Sequence, residues 1–142
     1  MTRSVIDTNI LIRALIRPQG TVGPIIVRFE ERKFTLIYSE ILLAELDETL
    51  RLPRIMKKHN LTDQTITAYI VLLKKYGDKV EPTRTINVCR DLDDNRVVEA
   101  AVEGKADFVV TGDDDLLILK QFENIRFIQP KEFLEILDAE SA

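Results

Sequence analysis

Residues 4–12, Ser-Val-Ile-Asp-Thr-Asn-Ile-Leu-Ile, constrain this chain most. A short apolar run stops at an acid, Asp7, and a helix-like pattern begins straight after it. A buried strand that feeds a helix this abruptly opens an α/β unit. In open α/β sheets, ligands sit beyond the carboxyl ends of the strands. The spacing therefore aims Asp7 at that rim. The same punctuation returns further on: DFVVT at residues 107–111 reads as a buried strand, Gly112 permits a tight turn, and Asp113 follows.

The pattern between these points alternates. A strand over residues 4–6 is predicted to lead into a helix capped by Thr8 or Asn9. Pro18, Gly20, Gly23 and Pro24 predict a loop, followed by a helix over 25–33 and a strand over 34–38. Ser39 caps a helix reaching Arg51, and Pro53 starts a short one through Met56. Thr62 caps an amphipathic helix with Ile66, Tyr69, Ile70, Leu73 and Tyr76 on one side and Gly77 at its end. An extended piece is expected at 85–88, then a helix from the acidic run at 90–95 to Gly104. A helix from Asp114 or Asp115 to Lys120, a strand over 126–128 and a helix from Pro130 to about Leu137 complete the chain. Such alternation predicts a mainly parallel sheet covered on both faces, a three-layer α/β/α sandwich. No linker, repeat or low-complexity segment interrupts it, so one domain over residues 1–142 is expected.

Composition removes several classes of function. No apolar run approaches the ~18 residues of a membrane span, and the start does not read as a signal peptide. One cysteine and one histidine in 142 residues exclude an internal disulfide and a usual structural zinc site. A reducing cytoplasm is the expected compartment. The net charge of −4 argues against broad electrostatic binding of nucleic acid, but bound metals and local basic strips can still meet phosphates. Arg13 and Arg17 stand at i, i+4, and Arg51, Arg54, Lys57, Lys58 and His59 form the most basic cluster. A solvated surface is the plain reading of both groups; RNA backbone contact is the sharper one.

Two further acids stand out when helices are projected at about 100° per residue. Leu42, Leu43, Leu46 and Leu50 make one stripe, and Glu45 falls between Ile41 and Leu42 inside the apolar arc. Asp94 falls in the middle of the face formed by Val97, Val98, Ala101 and Val102. Asp91 or Asp93 fits a helix cap better, so Asp94 is the preferred inward acid and Asp91 its rival. A carboxylate aimed at a core is costly unless paired or metal-bound. Asp7, Glu45, Asp94 and Asp113 could meet at one sheet edge, and four carboxylates cannot all stay ionised there without cations. Oxygen donors without thiolate or imidazole favour Mg²⁺ or Mn²⁺, a site suited to phosphodiester hydrolysis.

VIDTN at 5–9, Glu45, DDNRVVEAA at 93–101 with its preceding Asp91-Leu92, and VVTGDDDLL at 109–117 together resemble the PIN-domain ribonucleases. The resemblance covers almost the whole chain, in the family's order, and is nearest to the VapC-like toxin components of prokaryotic toxin–antitoxin systems. It implies a Rossmann-like sandwich, a Mg²⁺- or Mn²⁺-dependent endoribonuclease, RNA as substrate, a cognate antitoxin and a homodimer or higher homo-oligomer. By motif, Asp7, Glu45, Asp94 and Asp113 match the acidic quartet and Asp115 an additional metal-side acid. Thr8, Asn9 and Thr111 match supporting polar positions. Two other readings remain open at this stage. One is a non-catalytic RNA- or protein-binding regulator. The other is a haloacid-dehalogenase-like phosphatase with Asp7 as nucleophile, although the second Asp of that motif is here Asn9.

Overall fold

The computed structural model describes residues 1–141 of the 142. Fourteen elements follow one another: β1 (Arg3–Ile6), α1 (Thr8–Ile16), α2 (Gly23–Glu30), β2 (Thr35–Tyr38), α3 (Glu40–Leu50), α4 (Pro53–His59), α5 (Asp63–Tyr76), β3 (Asp78–Lys79), α6 (Asp94–Glu103), β4 (Phe108–Val110), α7 (Asp114–Leu117), β5 (Gln121–Phe122), β6 (Ile125–Ile128) and α8 (Pro130–Ser141). The strands form one sheet in the order β3-β2-β1-β4-β6-β5. Every pairing is parallel except the β5–β6 hairpin at one edge.

Period-two alternation builds the layers. In the parallel register Val5 lies beside Val109, and Val109 beside Phe127. These side chains join Ile37 on one face, packed against Val97, Val98 and Ala101 of α6 and Leu116 of α7. Their neighbours Ile6, Val110 and Ile128 turn the other way, with Leu36. They pack with Ile10, Phe29, Leu46, Leu73 and Phe133 from α1, α2, α3, α5 and α8. Strands apolar on both sides and covered by helices on both sides are the expected α/β/α sandwich. A buried hydrogen bond from the Tyr69 hydroxyl to the Leu11 carbonyl, 2.7 Å, ties α5 to α1.

Four local expectations change. The cap of α1 is Asp7 itself, whose side chain accepts from the Asn9 N–H, rather than Thr8 or Asn9. Residues 85–88 form no strand; the extra strand is β3, two residues at the sheet edge. The helix after Asp113 ends at Leu117, three residues short of Lys120. Gly23 and Pro24 belong to the first turn of α2 rather than to the loop.

Gly23 has a steric reason. A Cβ there would lie 2.0 Å from the Pro18 carbonyl oxygen and 2.7 Å from its carbon, both backbone atoms. Gly23→Ala is expected to cost about 1–3 kcal/mol through forced backbone movement, a fall in Tm of about 4–10 °C. Thermal unfolding of the variant beside wild type checks this, and an unchanged Tm would show that the 17–22 loop gives way freely.

Candidate metal centre at the strand ends

The carboxyl ends of β1 and β4 lie side by side, because Ile6 pairs with Val110. Asp7 and Thr111 are the next residues on each chain. The buried Thr111 hydroxyl donates to Asp7 Oδ2 at 2.7 Å and accepts from the Asp113 N–H at 2.9 Å. One hydroxyl therefore fixes both strand-end acids. Asp7 Oδ1 takes the Asn9 N–H, and Asp113 Oδ1 takes the Asp115 N–H at 2.9 Å, capping α7. Short polar side chains that cap their own helix in this way hold their carboxylates in one rotamer.

The third acid comes from the first turn of α6. Oxygen atoms of Asp94, Asp113 and Asp115 all lie within 4.8 Å of one another. Asp94 Oδ2 is sealed from solvent and has no hydrogen-bond partner. An unpartnered buried carboxylate oxygen is costly. On a residue whose carboxylate clusters with two others, it suits a hard divalent cation, or without one a proton shared with Asp113. Burial, then the charges of Asp94, Asp113, Asp115 and Asp91, push the nearby Cys89 thiol up to about 11.

Asp91 stands outside this tight set. It is exposed and accepts the Asp93 N–H at 3.0 Å, so it caps the turn that enters α6. Asp93 is the N-terminal residue flanking α6 but makes no side-chain cap bond. Glu45 differs from its projection: it is exposed, as is Ile41 beside it, so the side of α3 that carries them faces water while Leu42, Leu43, Leu46 and Leu50 face the core. It still senses the cluster. Its carboxyl is raised first by partial burial, then by the charges of Asp93, Asp7 and Asp91.

Of the polar positions, Thr8 is buried and Asn9 exposed, and Asn9 contributes its backbone N–H. Arg51 is already engaged, with Asp47 at 2.9 Å, Asp63 at 2.5 Å and the Thr67 hydroxyl at 2.9 Å, and it ties α3 to α5. Arg13, Arg17, Arg54, Lys57 and Lys58 are exposed.

Two functional-looking residues escaped the sequence reading. Asn95 is buried, and its side-chain oxygen accepts the N–H groups of Val88 and Cys89 at 3.0 and 2.9 Å. Glu99 is buried too, takes the Ile86 N–H at 2.9 Å and pairs with Arg96 at 2.8 Å. Together they hold the 86–89 segment against α6, which places Arg90 near the acids, 3.5 Å from Asp115. Their i, i+4 spacing on a helix beside an extended segment was the available signal.

The charge balance gives a pH prediction. Asp94 is pushed up to about 7, first by burial, then by the charges of Asp113 and Asp91. Asp7 is raised mainly by burial, against the lowering effect of the Thr111 hydroxyl and the Asn9 N–H. A carboxyl raised on folding stabilises the fold while protonated. That contribution is complete below about pH 4 and is lost as pH rises through about 7. Metal-free protein is therefore expected to lose about 1–2 kcal/mol between about pH 5 and 8, allowing for solvent at a part-exposed group. The corresponding fall in Tm is about 3–8 °C, and millimolar Mg²⁺ or Mn²⁺ should reverse it at the higher pH. Thermal scans in EDTA and in metal check both halves. A Tm in EDTA that climbs between those pH values would contradict the sign.

No helix among the described residues is long and apolar enough to cross a membrane. Comparison with known proteins agrees with the architecture. A family model described as PIN domain matches residues 3–115. An uncharacterized protein of Methanocaldococcus jannaschii is 34% identical over 139 residues, covering 92% of this chain and 88% of its own length. The match places the chain away from the haloacid-dehalogenase-like phosphatases. It begins at the first residue of β1, ends at Asp115 and encloses all three clustered acids: this chain belongs to the PIN-domain family.

Proposed function

We propose that this protein is a divalent-metal-dependent endoribonuclease. The observation that carries the reading is the clustering of Asp94, whose Oδ2 is sealed and unpartnered, with Asp113 and Asp115 at the carboxyl ends of the sheet. Asp94, Asp113 and Asp115 would hold the cation, Mg²⁺ or Mn²⁺, with Asp7 adjoining and Glu45 completing the negative field from α3. A cation bound there supplies a Lewis acid for the phosphoryl group and lowers the pKa of water. Thr111 keeps Asp7 and Asp113 at a fixed separation, so the site needs little rearrangement when it loads. Thr8 and Asn9 brace Asp7 from the first turn of α1. Hydrolysis breaks the bond from phosphorus to the 3′ oxygen, leaving a 5′-phosphate on one product and a 3′-hydroxyl on the other.

The family and the resemblance to VapC-like proteins support a toxin role, with a protein antitoxin covering the acidic cleft and with homodimers in solution. Cleavage of labelled structured and unstructured RNAs in Mg²⁺, Mn²⁺ or EDTA tests the enzyme. Metal-dependent cutting that leaves 5′-phosphate ends is expected. Folded, metal-loaded protein that cuts none of them would overturn the reading in favour of RNA binding without catalysis. Growth arrest on expression, relieved by the adjacent gene, tests the toxin role.

A further inference from the structure

A surface feature adjoins the acids through one residue, Gly112, which stands between Thr111 and Asp113. A cavity of about 540 Å³ starts at Gly112, the neighbour of Asp113, and is bordered by Gln129 at the end of β6, Lys131 of α8 and Arg13 of α1. A second, of about 410 Å³, is bordered by Arg13, Arg17, Gly20 and His59. The two share Arg13, Thr21 and Val22, so Arg13 stands at their junction. Gly112 leaves the entrance open: a Cβ there would meet nothing within 4 Å.

The charges along this path are unusual for a protein of net charge −4. Among the described residues, Arg13, Arg17 and Lys131 form no ion pair. The carboxylates bordering the first cavity are Glu135 and Asp138, and Asp138 is held by Arg28 at 3.2 Å. Among the described residues none borders the second. Among them, no aromatic ring other than the His59 imidazole lines either cavity, so the path offers cations and short polar groups but no platform for stacking bases. Unpaired guanidinium groups in a groove that leads away from an acidic centre suit a chain of phosphates.

We propose that the groove from Gly112 past Arg13 and Arg17 to His59 holds the phosphate backbone of the single-stranded RNA flanking the scissile bond. This rests on the nuclease reading for the position of the scissile bond. It predicts binding by backbone charge, tolerant of sequence and strongly dependent on salt.

The test uses the full-length chain carrying Asp7→Asn, so that RNA stays intact. Anisotropy of a fluorescent oligouridylate is measured across a range of salt in Mg²⁺. The Arg13→Ala/Arg17→Ala pair is expected to weaken binding by on the order of tenfold and to reduce the salt slope by about 1.4, two phosphate contacts at about 0.7 each. Lys33→Ala/Lys105→Ala removes two exposed cations bordering neither cavity, and should leave both quantities unchanged. Equal effects of the two pairs would reduce the groove to general electrostatics and overturn the proposal. So would an unchanged slope in the Arg13→Ala/Arg17→Ala protein, the outcome expected if these arginines serve an acidic peptide instead. In the cleaving protein the same arginine pair should raise KM with kcat retained. Salt-dependent binding through the groove by a chain that cuts nothing would keep this proposal while removing the nuclease. Cleavage with unaltered KM would do the reverse.

Discussion

Asp94→Asn is expected to lower RNA cleavage by about 10²–10³-fold, the scale set by removing one group from a preorganised electrostatic site. The variant loses the only carboxylate oxygen of the tight set that has neither solvent nor a partner. The amide is nearly isosteric, so the shape of the side chain is kept. In the metal-free protein it should be more stable than wild type at about pH 8, because Asp94 is the carboxyl raised to about 7 by burial and by Asp113 and Asp91. Its Tm in EDTA should therefore lose most of its decline with pH, and added Mg²⁺ should raise Tm far less than in wild type. This pairing of lost activity with gained metal-free stability separates a ligand from a structural residue, whose loss lowers both. Asp91→Asn is the companion. Its amide oxygen can still accept the Asp93 N–H, and activity within about threefold of wild type is expected of an exposed turn acid. If Asp91→Asn abolishes cleavage while Asp94→Asn spares it, the third acid lies one turn earlier than the geometry of the cluster indicates.

The frame of this molecule could be read because its strands are short, apolar on both sides and followed at once by polar punctuation. Val5-Ile6, Leu36-Ile37, Val109-Val110 and Phe127-Ile128 each send neighbouring side chains to opposite layers. Acids placed after two of those strands necessarily share a rim once the strands pair in parallel register. Position was harder to read where the chain departs from periodicity. Residues 85–88 have the alternation of a strand, but side-chain oxygens from α6 take the N–H groups of Ile86 and Val88 in place of a neighbouring strand. The real edge strand, Asp78–Lys79, carries no apolar signal because the last strand of a sheet buries so little. The β5–β6 turn hides for another reason: Glu123, at φ 54°, takes the left-handed position usually filled by glycine. Glu45 shows the limit of helical projection. The angular position beside Ile41 and Leu42 is right, but an arc is buried only where another element covers it, and Ile41 and Glu45 lie on its uncovered edge.

Asn95→Ala is expected to cost about 2–4 kcal/mol, a Tm drop of about 6–15 °C. Its side-chain oxygen is the acceptor for two adjacent N–H groups, Val88 and Cys89, and it is 1% exposed. Alanine leaves the buried Cys89 N–H without an acceptor, at about 1–3 kcal/mol, and removes the half-buried Val88 bond as well. The segment must then lift to find water, and with it goes the placement of Arg90 and Asp91 beside the acids. Hydrogen exchange should register this as faster exchange at residues 86–93, with β1 and β4 unchanged, and cleavage should fall through KM and kcat together. Asn95→Asp separates the two contributions. The carboxylate can accept both N–H groups, so the segment stays seated, but a further negative charge now stands next to Asp94. That variant should match wild-type stability near pH 5 and fall below it near pH 8 without metal, where the added repulsion is at full strength. Glu99→Gln provides the control on the neighbouring turn. The amide oxygen keeps the Ile86 hydrogen bond and gives up the Arg96 ion pair, so a loss of about 1 kcal/mol with the pH profile intact is expected. If Asn95→Ala unfolds no more readily than Glu99→Gln, the 86–89 segment is held by the burial of Ile86 and Cys89 rather than by its polar clamp.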